Sequence, residues 1–407
     1  MGKGCAVMKK VNVLLVGIGG YGTLFVEEIL KNSNSAIELV GVVDPFPERC
    51  SLLEKLKDEN VQIFSDMESF FKDNTADLAV ISTPIFLHTK NILSALNNGC
   101  NALCEKPLCS DEKDIEILLE AQRRTGKFVY IGYQWSYSKP ITMLKNDILA
   151  NRFGALKEMK SLVLRPRTRE YFGRGVGWAG KIETSDKVKV YDSIANNSAA
   201  HYLFNMLFVM GEYGKAAEPS NIKAELLRVN NIENFDVSHI SFYIGNAKAC
   251  FIGAHPVNRG IEPVFEYVFE KGTVYYSAKY GEEEKSMMPS NYEEYGEIVA
   301  IMNDGKKIVY GNPMKENCRK LYMAVDAIIK GNNDEGPCGI CASSVHTQLI
   351  NHIQREFKTH FVKDELIKEE NNVLYADGLF EKLVESYKGA DETLDSFKKE
   401  QTDEKET

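Results

Sequence analysis

Between Val11 and Tyr133 short apolar runs alternate with longer stretches of helical spacing, and this rhythm constrains the fold more than any other feature. VNVLLVG, IELVGVVD, LAVIST, NALCEKP and FVYIGY read as strands buried on both faces. TLFVEEILKN, PERCSLLEKLKD, HTKNILSALNNG and DIEILLEAQRRTG, which lie between them, have the three-to-four residue apolar period of helices. Strands joined by helices of this length cannot pair as hairpins. They form right-handed βαβ units and therefore a doubly wound parallel sheet.

After about residue 151 the rhythm changes. GALKEMKSLVLR, AELLRVNNI, SHISFYIG, KACFIGAH, FEYVFEKGTVYYSA and IVAIMNDGKKIVYG read as strands, with Lys271-Gly272 and Asp304-Gly305 expected to supply positive-φ turn positions. A mainly antiparallel α+β domain is expected, interrupted by one helix from Asn197 to Met210. The predicted organisation is an α/β domain over 10–134, a second domain over 135–388, and a charged, frayed tail over 389–407. At 407 residues two cores are needed.

Composition narrows the partners. A net charge of −9 argues against nucleic acid or an anionic membrane surface, and no apolar run reaches the roughly 20 residues of a membrane helix. Lys9 and Lys10 before an apolar run imitate a signal peptide, but glycines interrupt the run at once, and a cytoplasmic chain is expected. Nine cysteines scattered from Cys5 to Cys341 make no disulfide framework, and the CGIC at 338–341 is read as an ordinary reduced pair at a helix start. No metal site is expected.

Chemistry enters at three strand ends. Gly17-x-Gly19-x-x-Gly22 follows the first strand and opens a helix, a turn tight enough to bring a pyrophosphate to the helix N-terminus. Asp44 closes the next strand, 22 residues beyond Gly22, near the spacing at which an acid accepts from a ribose hydroxyl. It favours NAD over NADP, although Arg49 lies close in sequence. Ser82-Thr83-Pro84 and Glu105-Lys106-Pro107 end two further strands, at the edge where doubly wound sheets bind ligands. Pro107 restrains the backbone of Lys106, so its ammonium is aimed at a substrate oxygen, with Glu105 nearby to balance charge.

The order GxGxxG, VVD, TPxxxH from Thr83 to His88, ALxxGC and EKP resembles the glucose–fructose oxidoreductase, inositol dehydrogenase and MocA family of NAD(P)-dependent oxidoreductases. The resemblance is close over residues 11–134 and looser beyond. It implies a Rossmann domain, a second domain whose open sheet mediates homodimer or homotetramer formation, and hydride transfer between NAD and a sugar, sugar acid or inositol-like polyol. The cofactor set it implies is Gly17, Ile18, Gly19, Gly20, Tyr21, Gly22, Asp44, Thr83, Pro84, His88, Glu105, Lys106 and Gln134. Lys106, Trp135, Arg165, Trp178, Asn197 and His201 are the expected substrate contacts, with Lys106, His201 and Asn197 catalytic.

One position departs from the family. Its members carry Asp-x-x-x-His on the helix where this chain has Asn197 and His201. Asparagine orients an imidazole without stabilising its protonated form, so either Lys106 carries more of the proton transfer, or Asp192 reaches the site, or the reaction differs. Relatives that hydrolyse glycosides through transient oxidation, and others that bind the dinucleotide without turnover, are the alternatives. The stretch from Arg165 to Lys181 holds five basic residues against one acid, Glu170, and is a candidate receiver for a substrate carboxylate or phosphate.

Overall fold

The structure, a computed structural model, describes residues 10–32, 36–173, 177–334, 336–389 and 393–400. Residues 1–9, and Arg174 and Gly175 of the basic stretch, lie outside the described residues. The chain divides into two compact units, the first built from residues up to 137 with 213–215 and 316–344, the second from the remainder.

The first unit carries six strands, β1 (Val11–Val16), β2 (Ile37–Val43), β3 (Ile63–Phe64), β4 (Leu78–Ile81), β5 (Asn101–Cys104) and β6 (Val129–Ile131). All neighbours pair parallel, in the order β3-β2-β1-β4-β5-β6. Strands β4, β5 and β6 are buried at every residue, as expected of a sheet covered on both faces. The strand order reverses between β1 and β4, the switch point beyond which doubly wound sheets bind their ligands. The unit also takes in the amphipathic helix Arg319–Lys330, which the sequence reading gave to the second domain.

In the second unit a nine-stranded sheet runs β14-β13-β12-β11-β7-β10-β9-β8-β15. Its strands are β7 (Leu156–Leu164), β8 (Ser220–Arg228), β9 (Val237–Ile244), β10 (Ala247–Ala254), β11 (Ile261–Phe269), β12 (Gly272–Ser277), β13 (Ile298–Met302), β14 (Lys307–Gly311) and β15 (Thr359–Phe361). Only β10 with β7 and β15 with β8 pair parallel. A two-stranded hairpin, β16 (Ile367–Glu370) and β17 (Val373–Ala376), turns through Asn371 and Asn372, both at positive φ.

Two expectations need correction here. Gly305 turns at φ 86 as expected, but Gly272 lies inside β12 and not at a positive-φ turn; its lack of a Cβ serves close approach, since one would meet the Ile301 carbonyl oxygen at 2.8 Å. The tail is not frayed throughout. Over 393–400 Leu394 and Phe397 enter the core beside the helix Leu379–Lys388, and the Lys399 amide donates to the Phe361 carbonyl. Two apolar anchors were enough to order a segment whose charge had suggested otherwise. Residues 390–392 and 401–407 lie outside the described residues. Among the described residues no helix is long and apolar enough to cross a membrane.

Candidate active site

The glycine loop is shaped by collisions that side chains would suffer. Gly17 sits at φ 82, and a Cβ there would lie 2.8 Å from the Ser82 carbonyl oxygen, so the loop leans directly on the end of β4. At Gly22 a Cβ would strike the Gly17 carbonyl, which fixes how closely the helix Gly22–Lys31 follows the strand. Gly20, at φ 55, has open space on its Cβ side, and Gly19 approaches only the Arg49 side chain. The helix begins without a side-chain cap and with no acid in its first turn, leaving its positive end suited to an anion.

Asp44 is fixed by backbone donors. Its carboxylate accepts from the Ile18 amide and the Phe46 amide, each at 2.8 Å, so the acid at the end of β2 is tied to the glycine loop. Arg49 stacks on the Phe46 ring at 4.5 Å beside it. A backbone cradle, an oriented acid and an uncapped helix start together fit the pyrophosphate and ribose of a dinucleotide.

Thr83 and His88 hold the neighbouring strand ends. The His88 ring faces the Pro107 carbonyl at 2.7 Å through Nδ1 and the Thr83 carbonyl at 3.0 Å through Nε2. The Thr83 hydroxyl accepts from Asn91. His88 is 1% exposed, and its ring joins the two strand ends. Burial pushes its pKa down, and the neutral ring donates one proton.

Every residue from Asn101 to Ser110 is buried except Lys106. The strand end thus puts one ammonium at the carboxyl edge of the sheet with walls on both sides. Glu105 has a buried partner of its own. Its carboxylate pairs with Lys320, which is fully buried on the helix Arg319–Lys330. Lys320 also donates to the Tyr21 hydroxyl and the Gly132 carbonyl, both at 3.3 Å. Burial alone would push the Lys320 pKa down; the Glu105 carboxylate and the Tyr21 hydroxyl together outweigh it and hold it above the usual lysine value. Gly132 is required for this packing, because a Cβ would come 2.8 Å from Glu105 Oε1. Tyr21 donates in turn to Gln134 Oε1 at 3.1 Å, and Gln134 donates to Asn317 at 3.3 Å. Sequence reading missed Lys320, and no motif marked it. Trp135 is 2% exposed and offers no surface to a substrate, again contrary to expectation.

The second unit carries the helix of Asn197 and His201. Ile194–Ser198 form a π-turn ahead of the α-helix Ala200–Met210, an irregularity that concentrates at functional sites. Within that α-helix only His201 and Met210 escape full burial. Asn197 Nδ2 donates to Asp192 Oδ1 at 2.7 Å, and Asp192 Oδ2 accepts from the Gly180 amide at 2.6 Å. Asp192 is 4% exposed, so the charge absent at position 197 stands one hydrogen bond behind it. Asn205 is occupied elsewhere, donating to the Tyr267 hydroxyl, and Lys145 closes the helix end through the Phe208 carbonyl.

The basic stretch is largely self-neutralised. Arg165 pairs with Glu262 at 2.9 Å and donates to the Tyr202 hydroxyl and the Ser198 carbonyl. It braces the polar helix and is not spare for a substrate anion. Arg169 pairs with Glu369 and Lys181 with Glu233. Arg167 stacks on Tyr171 at 4.4 Å and donates to the Ser198 hydroxyl at 3.3 Å, and Trp178 is half-buried. Among the described residues no group of three or more His, Cys, Asp or Glu side chains could hold a metal ion.

A six-stranded parallel sheet with a collision-defined glycine loop at its switch point defines a dinucleotide-binding α/β protein. Residues 11–133 match the model of the Gfo/Idh/MocA oxidoreductase family, NAD-binding Rossmann fold. The inositol 2-dehydrogenase of Salmonella typhimurium is 30% identical over 142 residues, 34% of this chain and 42% of that protein, so the match spans less than half its length. The Corynebacterium glutamicum inositol 2-dehydrogenase is 21% identical over 332 residues, 81% of this chain and 89% of that protein. The WlbA dehydrogenase from Bordetella pertussis, solved with NADH and UDP-GlcNAcA, superposes with a TM-score of 0.66 at 18% identity, covering 85% of this chain and 96% of that one. For the aldose-aldose oxidoreductase from Caulobacter crescentus, complexed with glycerol, the TM-score is 0.65 at 17% identity, over 85% and 97% of the two chains. At these identities the structural likeness is one of fold.

Proposed function

We propose that this chain is an NAD-dependent oxidoreductase that moves a hydride between nicotinamide and a CH–OH carbon of a sugar, sugar acid or inositol-like polyol. The observation that carries the reading is the conjunction at one sheet edge of the glycine cradle, the oriented Asp44 and the half-buried Lys106. The first unit binds the dinucleotide, the second supplies substrate contacts, and copies associate as a homodimer or homotetramer.

Gly17 to Gly22 hold the pyrophosphate, and Asp44 accepts from the ribose hydroxyl, which favours NAD over NADP. Thr83, Pro84, Glu105, Lys106 and Gln134 border the rest of the cofactor. When bound, nicotinamide supplies the two-electron acceptor or donor. Lys106 donates to the reacting oxygen and stabilises charge that develops on it. His201 takes the hydroxyl proton on oxidation and returns it on reduction. Asn197 orients that imidazole, and Asp192 behind it supplies the negative charge that favours its protonated form. Arg167 and Trp178 are the remaining substrate contacts. Relatives that act on inositol, or that were solved with a nucleotide sugar, make both compound classes candidates.

The test is a screen of polyols, sugar acids, keto-sugars and nucleotide sugars with NAD and NADH, following absorbance of the reduced nicotinamide. Turnover of at least one class, lost in Lys106→Ala, is expected. A chain that binds NADH but turns over no candidate in either direction would instead be a dinucleotide sensor.

A further inference from the structure

Away from the polar helix, three neighbouring strands of the large sheet place an acid, an imidazole and a thiol in line. Glu225 on β8 is the direct cross-strand partner of His239 on β9. Cys250 on β10 lies on the same face, one diagonal step away, since His239 pairs with Ile252 and Cys250 with Ser241. Cys250 Sγ is 3.2 Å from His239 Nε2, and Glu225 Oε2 is 3.5 Å from His239 Nδ1. Glu225 is itself held by the Leu394 amide at 3.1 Å and by Lys398 at 3.2 Å.

This order is the arrangement that activates a nucleophile: a base within hydrogen-bond reach of the thiol and a carboxylate fixing the base. With Glu225 taking the Nδ1 proton, Nε2 is free to accept from the thiol. The row is also half open to solvent. The side chains of His239 and Glu225 are 22% and 24% exposed, and Cys250 stands between exposed Lys248 and buried Ile252 on its strand. Three other cysteines have thiols that burial disfavours as thiolates. Burial pushes the Cys100 thiol up to about 12 and Cys104 well above its ordinary value, and Cys318 goes up to about 12, also chiefly by burial.

We propose that Cys250, with His239 and Glu225, is a reactive-thiol site that takes up hydroperoxides. The thiolate attacks a peroxide oxygen; an S–O bond forms as the O–O bond breaks. The departing oxygen takes the proton held by His239 and leaves as water or an alcohol. Sulfur loses two electrons and the peroxide gains them, giving a sulfenic acid. The oxidoreductase reading is not needed for this step.

Burial alone would lower the His239 pKa, but its bonds to Cys250 and Glu225 raise it to about 9. The charged and titratable groups around the row are Glu225 on β8, His360 on β15, and Asp395 and Lys398 in the tail segment. Tyr387 on the helix Leu379–Lys388 faces it too, with Lys160 and Glu266 beside that ring.

The experiment is iodoacetamide labelling of the full chain in non-denaturing buffer, with each cysteine followed by peptide mass spectrometry between about pH 6 and about pH 8.5. An ordinary thiol is about 1% ionised at about pH 6.5. An activated one has up to about 100-fold more thiolate, offset by roughly tenfold lower intrinsic nucleophilicity. Cys250 is therefore expected to react about tenfold faster than exposed Cys341 at about pH 6.5, with a nearly flat pH profile. His239→Gln should remove that advantage, and dimedone should trap Cys250 after dilute hydrogen peroxide. A Cys250 rate no higher than that of Cys341, or a profile rising like an ordinary thiol in the unmodified chain, overturns the proposal without any variant. Protection of Cys250 by a second copy covering the sheet would overturn it as well.

Discussion

Two stretches of this chain solve one problem by different means. Asn101–Ser110 and Ala200–Met210 are both buried runs in which one polar side chain escapes full burial, Lys106 in one and His201 in the other. Around Lys106 the surroundings are backbone: glycines whose Cβ atoms would collide, and strand ends joined through His88. Around His201 they are side chains from distant loops, with Asp192 behind Asn197 and Arg165 tied to Ser198 and Tyr202. Backbone cradles leave motifs because only glycine fits them. Side-chain networks leave little trace, because many residue pairs could make the same bond.

The largest effect that would break this contrast concerns Lys320, a buried side chain paired with Glu105 in the first region. Lys320→Met leaves Glu105 buried and unpaired, and should cost about 3–5 kcal/mol in urea unfolding. Adding Glu105→Gln should recover much of that, since the uncompensated charge then disappears. Retention of full stability in the single variant would mean that the pair is not the anchor described.

Asp192→Asn tests the second region. It should lower turnover about 10²-fold while leaving NADH affinity and the melting temperature nearly unchanged. Asn197→Asp alone sets a second carboxylate against Asp192 and should not raise activity. The double exchange returns one charge to the row and should recover part of the rate. Equal activity in all three would show that no carboxylate serves His201.

A smaller effect is expected at Asp44, where replacement by serine should shift the NADP to NAD preference about tenfold toward NADP, read from paired Kd values. The smallest concerns pH. His239 has its folded pKa raised to about 9, so its contribution to stability is complete below its unfolded value, near 6.5, and is lost as pH rises through about 9. Chemical denaturation across that window should show stability declining, with a shallower decline in His239→Gln.

Legibility followed the same divide. The five long parallel strands, the glycine loop, Asp44 and the strand-end lysine could all be read from spacing, because buried parallel strands and a φ of 82 at Gly17 demand particular residue types. The two-residue β3 had too little length to read. Lys320 was hidden because the helix RKLYMAVDAIIK looks like any amphipathic helix, and its partner Glu105 is 215 residues away. The basic stretch misled because its acids, Glu262, Glu369 and Glu233, come from other parts of the chain. Asp192 could be suspected only from the absence of an acid at Asn197. In the tail, charge concealed the two anchors Leu394 and Phe397.

The most direct measurement compares the unmodified chain with Lys106→Met in one preparation each, titrating NADH by fluorescence and then measuring turnover of whichever polyol or sugar the unmodified chain accepts. The account predicts an NADH affinity within about threefold of the unmodified chain and turnover lower by about 10³-fold, the order expected when a group that stabilises a developing charge is removed. Undiminished turnover in Lys106→Met would contradict it.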